Sequence, residues 1–91
     1  MFAYNMRGKN GVISGKNLII IDNDNNKWFQ SYDKIVANYI ALTDEFNILD
    51  DFLTPATMRF LLVFIKVCTH KELHSFTEVK ELPNVNFVKS L

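Results

Sequence analysis

Four groups of residues have types that could do chemistry if their spacing allowed it. The run Asp22-Asn23-Asp24-Asn25-Asn26-Lys27 offers oxygens at the first, third and fifth positions of a calcium loop, with Asp33 at the twelfth. Lys27, however, holds the sixth position, where the sharp turn requires Gly, and Asp33 is not the bidentate Glu that closes such a loop. The run therefore reads as a hairpin turn, in which Asp and Asn bond their own backbone. Cys68, His70, His74 and Glu78 suggest zinc, since two imidazoles one helical turn apart can share the ion. That geometry needs a helix running past Thr69, but Ser75-Phe76-Thr77-Glu78 is a capping box that starts a new one. The expectation is a buried thiol beside solvent-facing histidines, with no metal site. Gly8, Gly11 and Gly15 have no Gly-Lys-Ser/Thr behind them and form no phosphate loop. Ser14, Ser31, Ser75 and Cys68 lack a nucleophile elbow. No catalytic set, cofactor or metal is expected, and the chain is not expected to be an enzyme.

Charge suggests binding instead. Ten basic and ten acidic side chains cancel, which argues against a dedicated phosphate-backbone binder. The charges are segregated, however. Residues 1–16 carry Arg7, Lys9 and Lys16 with no acid; residues 17–53 carry seven acids against Lys27 and Lys34; residues 54–91 carry five bases against three acids. The middle acids collect in turns. Among them Asp44, Glu45, Asp50 and Asp51 could meet a basic groove on a partner protein. A second set, Arg7, Lys9 and Lys16 with Trp28, has the basic-plus-aromatic composition used on single-stranded nucleic acid. Three bases are few, and nucleic acid is the lesser expectation.

The elements that must position these residues follow from turn signals and periodicity. Asn10-Gly11, Gly15-Lys16-Asn17 and Asp22–Asn26 break the first third into short segments, Phe2–Met6, Val12–Ser14, Leu18–Ile21 and Lys27–Tyr32. Leu18–Ile21, with three β-branched isoleucines, suits a buried strand. Residues 33–49 permit either a helix, with Ile35, Val36, Tyr39, Ile40 and Thr43 at helical spacing, or two strands turning at Thr43-Asp44-Glu45. Thr54 as N-cap and Pro55 at the first position open a helix that runs to Thr69. Its apolar arc is about 220° wide, against roughly 100° for an ordinary surface helix. Either the C-terminal segment covers the second side, through Leu73, Phe76, Val79 and Leu82, or another chain does, meeting Phe60 and Phe64. The stretch is too short and too charged to span a bilayer. A short helix from Ser75 to Leu82 ends at Pro83, and Val85, Phe87 and Val88 suggest a last strand.

Ser31-Tyr32-Asp33-Lys34-Ile35-Val36-Ala37, followed by Thr54-Pro55-Ala56-Thr57 and a helix with Phe64-Ile65, resembles a group of small phage-encoded proteins of unknown function. Those carry a Ser-Tyr-x-Thr-x-Val-Ala strand, a Ser-x-Thr-Thr helix start, a His three residues on and a Phe-Leu pair. Ser31, Tyr32, Val36, Ala37, Thr57 and Phe64 match. Lys34, Ala56 and Phe60 depart, so no role of that histidine transfers. The resemblance covers roughly residues 27–66. It implies a strand over Ile35–Ile40 and a mobile-element origin, and names no activity.

The sequence thus predicts one α+β domain over residues 1–91: an antiparallel meander of about four to six short strands on one main helix, with a short C-terminal helix. Its 48% hydrophobic content is enough for one core. One cysteine and an opening segment without a continuous apolar run fit a cytoplasmic protein. The expected role is a non-enzymatic phage or mobile-element accessory protein that binds a host protein or complex, of which an anti-CRISPR-type inhibitor is one form. The alternative is a small nucleic-acid-binding or regulatory domain. Self-association through helix 55–69 is the third expectation.

Overall fold

A computed structural model describes residues 1–8, 10–50 and 54–91. Five antiparallel strands follow one another in order: β1 (Phe2–Arg7), β2 (Ile13–Ile21), β3 (Lys27–Ser31), β4 (Lys34–Ile40) and β5 (Glu45–Leu49). Helix α1 (Pro55–Thr69) and the short α2 (Phe76–Lys80) then cross the sheet, and β6 (Val85–Val88) joins its far edge parallel to β5. The meander is therefore antiparallel except for its last strand, because a strand reached through a helical crossover returns in the direction of the one it left.

Turn chemistry explains the hairpins. Asp22 Oδ1 accepts from the Asp24 and Asn26 backbone N–H groups, both at 2.9 Å, and Asn25 takes a left-handed φ of 65°. This is the Asx geometry expected of the Asp/Asn run, with no ion required. Asn10-Gly11 sits in a wider loop in which Gly8 N–H donates to the Val12 carbonyl, and Gly11 supplies a φ of 80°. Gly15-Lys16-Asn17 does not break the chain as its composition suggested. It lies inside β2, where the pairing with β1 slips between Asn5 and Arg7, a bulge position that tolerates Gly. Residues 34–40 form a strand, so Tyr32 must turn at a φ of 59°.

The core lies on one side of the sheet. Ile19, Phe29, Tyr39, Phe46 and Ile48 alternate inward from β2 to β5 and meet Leu61, Phe64 and Ile65 of α1. Phe64 stacks on Phe29 at 5.8 Å and meets Phe46 edge-on at 6.1 Å. α1 begins where its cap predicts: Thr54 Oγ1 accepts from Thr57 N–H at 3.2 Å, and Pro55 needs no partner. It ends on left-handed His70. The wide apolar arc is covered from within: Leu73, Phe76, Val79 and Leu82 all pack into the same core. No apolar residue of α1 is among the large side chains left exposed in the described residues. The C-terminal segment thus covers one flank of the helix face that the sequence suggested for a second chain, while Phe60, Leu62, Val63 and Val67 stay only partly buried. No described helix is long and apolar enough to cross a membrane.

Candidate functional site

Both described helices pack against the same side of the sheet, and the opposite side carries a continuous row. Register pairs Ala3 with Ile20, Ile20 with Trp28, Trp28 with Asn38, Asn38 with Asn47, and Asn47 with Asn86, so one side chain from each strand stands in line. Asn47 Nδ2 donates to Asn38 Oδ1 at 2.9 Å, and Asn86 Nδ2 reaches Asn47 Oδ1 at 3.5 Å. Leu18, Ile20, Trp28 and Ile35 are half-buried, and none of them belongs to the core cluster on the helix side. The arrangement is an aromatic and aliphatic centre flanked by a carboxamide ladder, with Glu45 at its lower margin hydrogen-bonded to Asn86 at 3.4 Å. A face with one large anchor and a polar border is how protein interfaces are built.

The acids predicted to bind a partner do not gather in one place. Asp44 and Glu45 sit at the β4–β5 turn, while Asp50 lies beyond the other end of β5, about 16 Å from Glu45 at the strand rise of ~3.3 Å per residue. Asp51 lies outside the described residues. Asp44 is partly occupied with structure: its Oδ1 accepts from the Tyr39 hydroxyl at 2.5 Å, and its carbonyl accepts from Asn84 Nδ2 at 2.6 Å. What Asp44 and Glu45 do approach is the β2–β3 turn, because Asn26 Oδ1 accepts from Ala41 N–H at 2.9 Å and ties the two turns together. Exposed Asp24 and Glu45 thus share one end of the sheet. Phe64 is fully buried between Phe29 and Phe46, and no partner can reach it. Phe60 is half-buried against the core.

The nucleic-acid set is also divided. Lys16 lies beside Tyr32, whose N–H donates to the Lys16 carbonyl and whose ring takes the ammonium at 5.9 Å. Trp28 is four residues back along the chain from Tyr32, about 13 Å away by the same rise. Arg7 donates to the Gly11 carbonyl at 2.9 Å, and Lys9 lies outside the described residues. The basic side chains and the tryptophan therefore form no single track.

Tyr39, Cys68, His70 and His74 have structural surroundings. The hydrogen bond to Asp44, with burial second, pushes the Tyr39 hydroxyl up to about 12. Burial pushes the half-buried Cys68 thiol up to about 12, far from the reactive thiolate range. His70 closes α1, and His74 N–H donates to Glu78 Oε1 at 3.1 Å. No group of three or more His, Cys, Asp or Glu among the described residues is placed to hold a metal ion. Compared with protein-family models, curated proteins and solved structures, the chain matches none.

Proposed function

We propose that the chain is a non-enzymatic accessory protein of phage or mobile-element type that works in the host cytoplasm by binding another protein. The observation that carries this reading is the row Ile20–Trp28–Asn38–Asn47–Asn86 on the side of the sheet that the described helices leave uncovered. Trp28 is the anchor, since tryptophan is among the residue types most enriched at binding hot spots. The amide ladder offers donors and acceptors beside it. Glu45, with Asp24 at the same end, favours a partner whose facing surface is basic. One form of this function is an inhibitor of a host defence complex, anti-CRISPR in type, that covers a basic nucleic-acid groove.

Two measurements test it. In affinity capture from bacterial lysate, a protein retained by the wild-type chain should be lost with both Trp28→Ala and Glu45→Lys; a capture profile indifferent to both refutes the assigned face. In mobility-shift assays, target-DNA binding by purified CRISPR effector complexes should be blocked by the chain and restored by Trp28→Ala. Direct binding of the chain to short single-stranded oligonucleotides, weakening steeply with salt, would point to the nucleic-acid role instead.

A further inference from the structure

We propose that β1 pairs antiparallel with β1 of a second copy, extending the sheet across a twofold axis centred on Tyr4. This interface is separate from the face assigned above and does not rest on it. β1 has no neighbour on its outer side among the described residues. Edge strands are normally blunted by charge, proline or brevity, yet residues 2–6, Phe-Ala-Tyr-Asn-Met, carry no charged side chain and no proline. Phe2 and Tyr4 stack on each other at 6.2 Å and are 59% and 38% exposed. Together they leave on the order of 200 Å² of largely apolar surface in water. That is about a quarter of the ~800 Å² each partner contributes to a standard interface, before the strand's own backbone is counted.

A second copy is the occupant because the edge is complementary to itself. The charge-free stretch is centred on Tyr4, so antiparallel self-pairing there sets each Phe2 opposite the other copy's Met6. Beside Met6 lies an open groove of about 240 Å³ between β1 and α1, with Tyr4, Met6, Ile19, Val63 and Val67 forming its apolar lining and Asn5 and Arg7 its polar one. A volume of about 150 Å³ already admits benzene, so by size the incoming Phe2 ring has room. Knob and hole on one strand are what an isologous twofold requires. Arg7, the last residue of β1, stands at the rim of that pairing, opposite the other copy's Met1, and turns its guanidinium to the Gly11 carbonyl at 2.9 Å.

Sedimentation velocity over about 1 μM to about 1 mM should show a species of twice 10.6 kDa. Phe2→Glu combined with Tyr4→Lys should raise the dimer dissociation constant roughly tenfold or more, whereas Trp28→Ala should dimerise like wild type. In a Cys68→Ser background, Tyr4→Cys should oxidise to a covalent dimer, since directly opposed antiparallel residues have Cα atoms within disulfide range. Phe2→Cys should not, because Met6 faces it. A monomer at every concentration overturns the proposal. So does a dimer indifferent to the charged pair, or one that cross-links through Phe2→Cys as readily as through Tyr4→Cys.

Discussion

Trp28 and Phe29 are neighbours in sequence and opposites in the fold, and truncating each in turn tests the two-sided sheet. Phe29 is fully buried, stacked on Phe64 at 5.8 Å and surrounded by the core. Phe29→Ala removes a buried ring and leaves a cavity, a change that costs about 3–5 kcal/mol. Trp28 is half-buried on the side away from the helices. Its truncation gives up part of one side chain's transfer energy and opens no closed cavity, so Trp28→Ala should cost about 1 kcal/mol. A chain of 91 residues is stable by about 5–14 kcal/mol. Urea unfolding followed by far-UV circular dichroism resolves the difference. At a slope of about 1.5 kcal/mol/M, Phe29→Ala should lower the midpoint by about 2–3 M and Trp28→Ala by well under 1 M. The single tryptophan also reports directly: its emission should be red-shifted and quenched by iodide in the native state. Equal losses of stability, or a native tryptophan that iodide cannot reach, would mean that Trp28 is covered and that the binding face is wrongly assigned.

Three further outcomes are expected. Thr54→Ala removes the acceptor for Thr57 N–H and should cost about 1 kcal/mol in the same unfolding assay, with Thr54→Ser close to wild type. In an ultraviolet alkaline titration, one of the three tyrosines should ionise at about 12 and be absent from Tyr39→Phe. Because folding raises that group above its ordinary 10, the stabilisation it gives is complete below pH 10 and fades as pH climbs towards 12. At the acidic end, partial desolvation alone would raise the Asp22 carboxyl, but hydrogen bonds from Asn26 and Asp24 outweigh it and hold the group below its usual value. Its contribution is present above the ordinary carboxyl pKa and lost as pH falls through the lowered one, so Asp22→Asn should flatten the acid limb of stability measured between about pH 5 and pH 2.

The sequence makes the local punctuation legible and leaves the long-range geometry hidden. Thr54, Pro55 and the unbroken run to Thr69 locate α1 to the residue, because caps and helical periodicity are local physics. Ser75 and Pro83 likewise bracket α2, and Leu73, Phe76, Val79 and Leu82 are legible as a cover for α1. Residues 34–40 are undecided on composition, since Ile, Val and Tyr there satisfy both periodicities; pairing with β3 on one side and β5 on the other makes them a strand. Gly15 misleads because a bulge and a turn demand the same residue. The binding row is invisible in the sequence: Ile20, Trp28, Asn38, Asn47 and Asn86 come from five strands and align only once every register is known. Asp44 and Asp50 look like one patch because they are close in sequence, and β5 carries them apart.

The parallel docking of β6 on β5 joins segments some forty positions apart. During synthesis the first five strands can therefore hydrogen-bond to one another while the ribosome still holds the strand that will pair with Phe46 and the rest of β5. Throughout that interval the nascent domain has two unguarded flanks, and only the arrival of β6 removes the second. A truncation before Val85 would make that transient state permanent, and such a product should precipitate or recruit chaperones although its hairpins are intact.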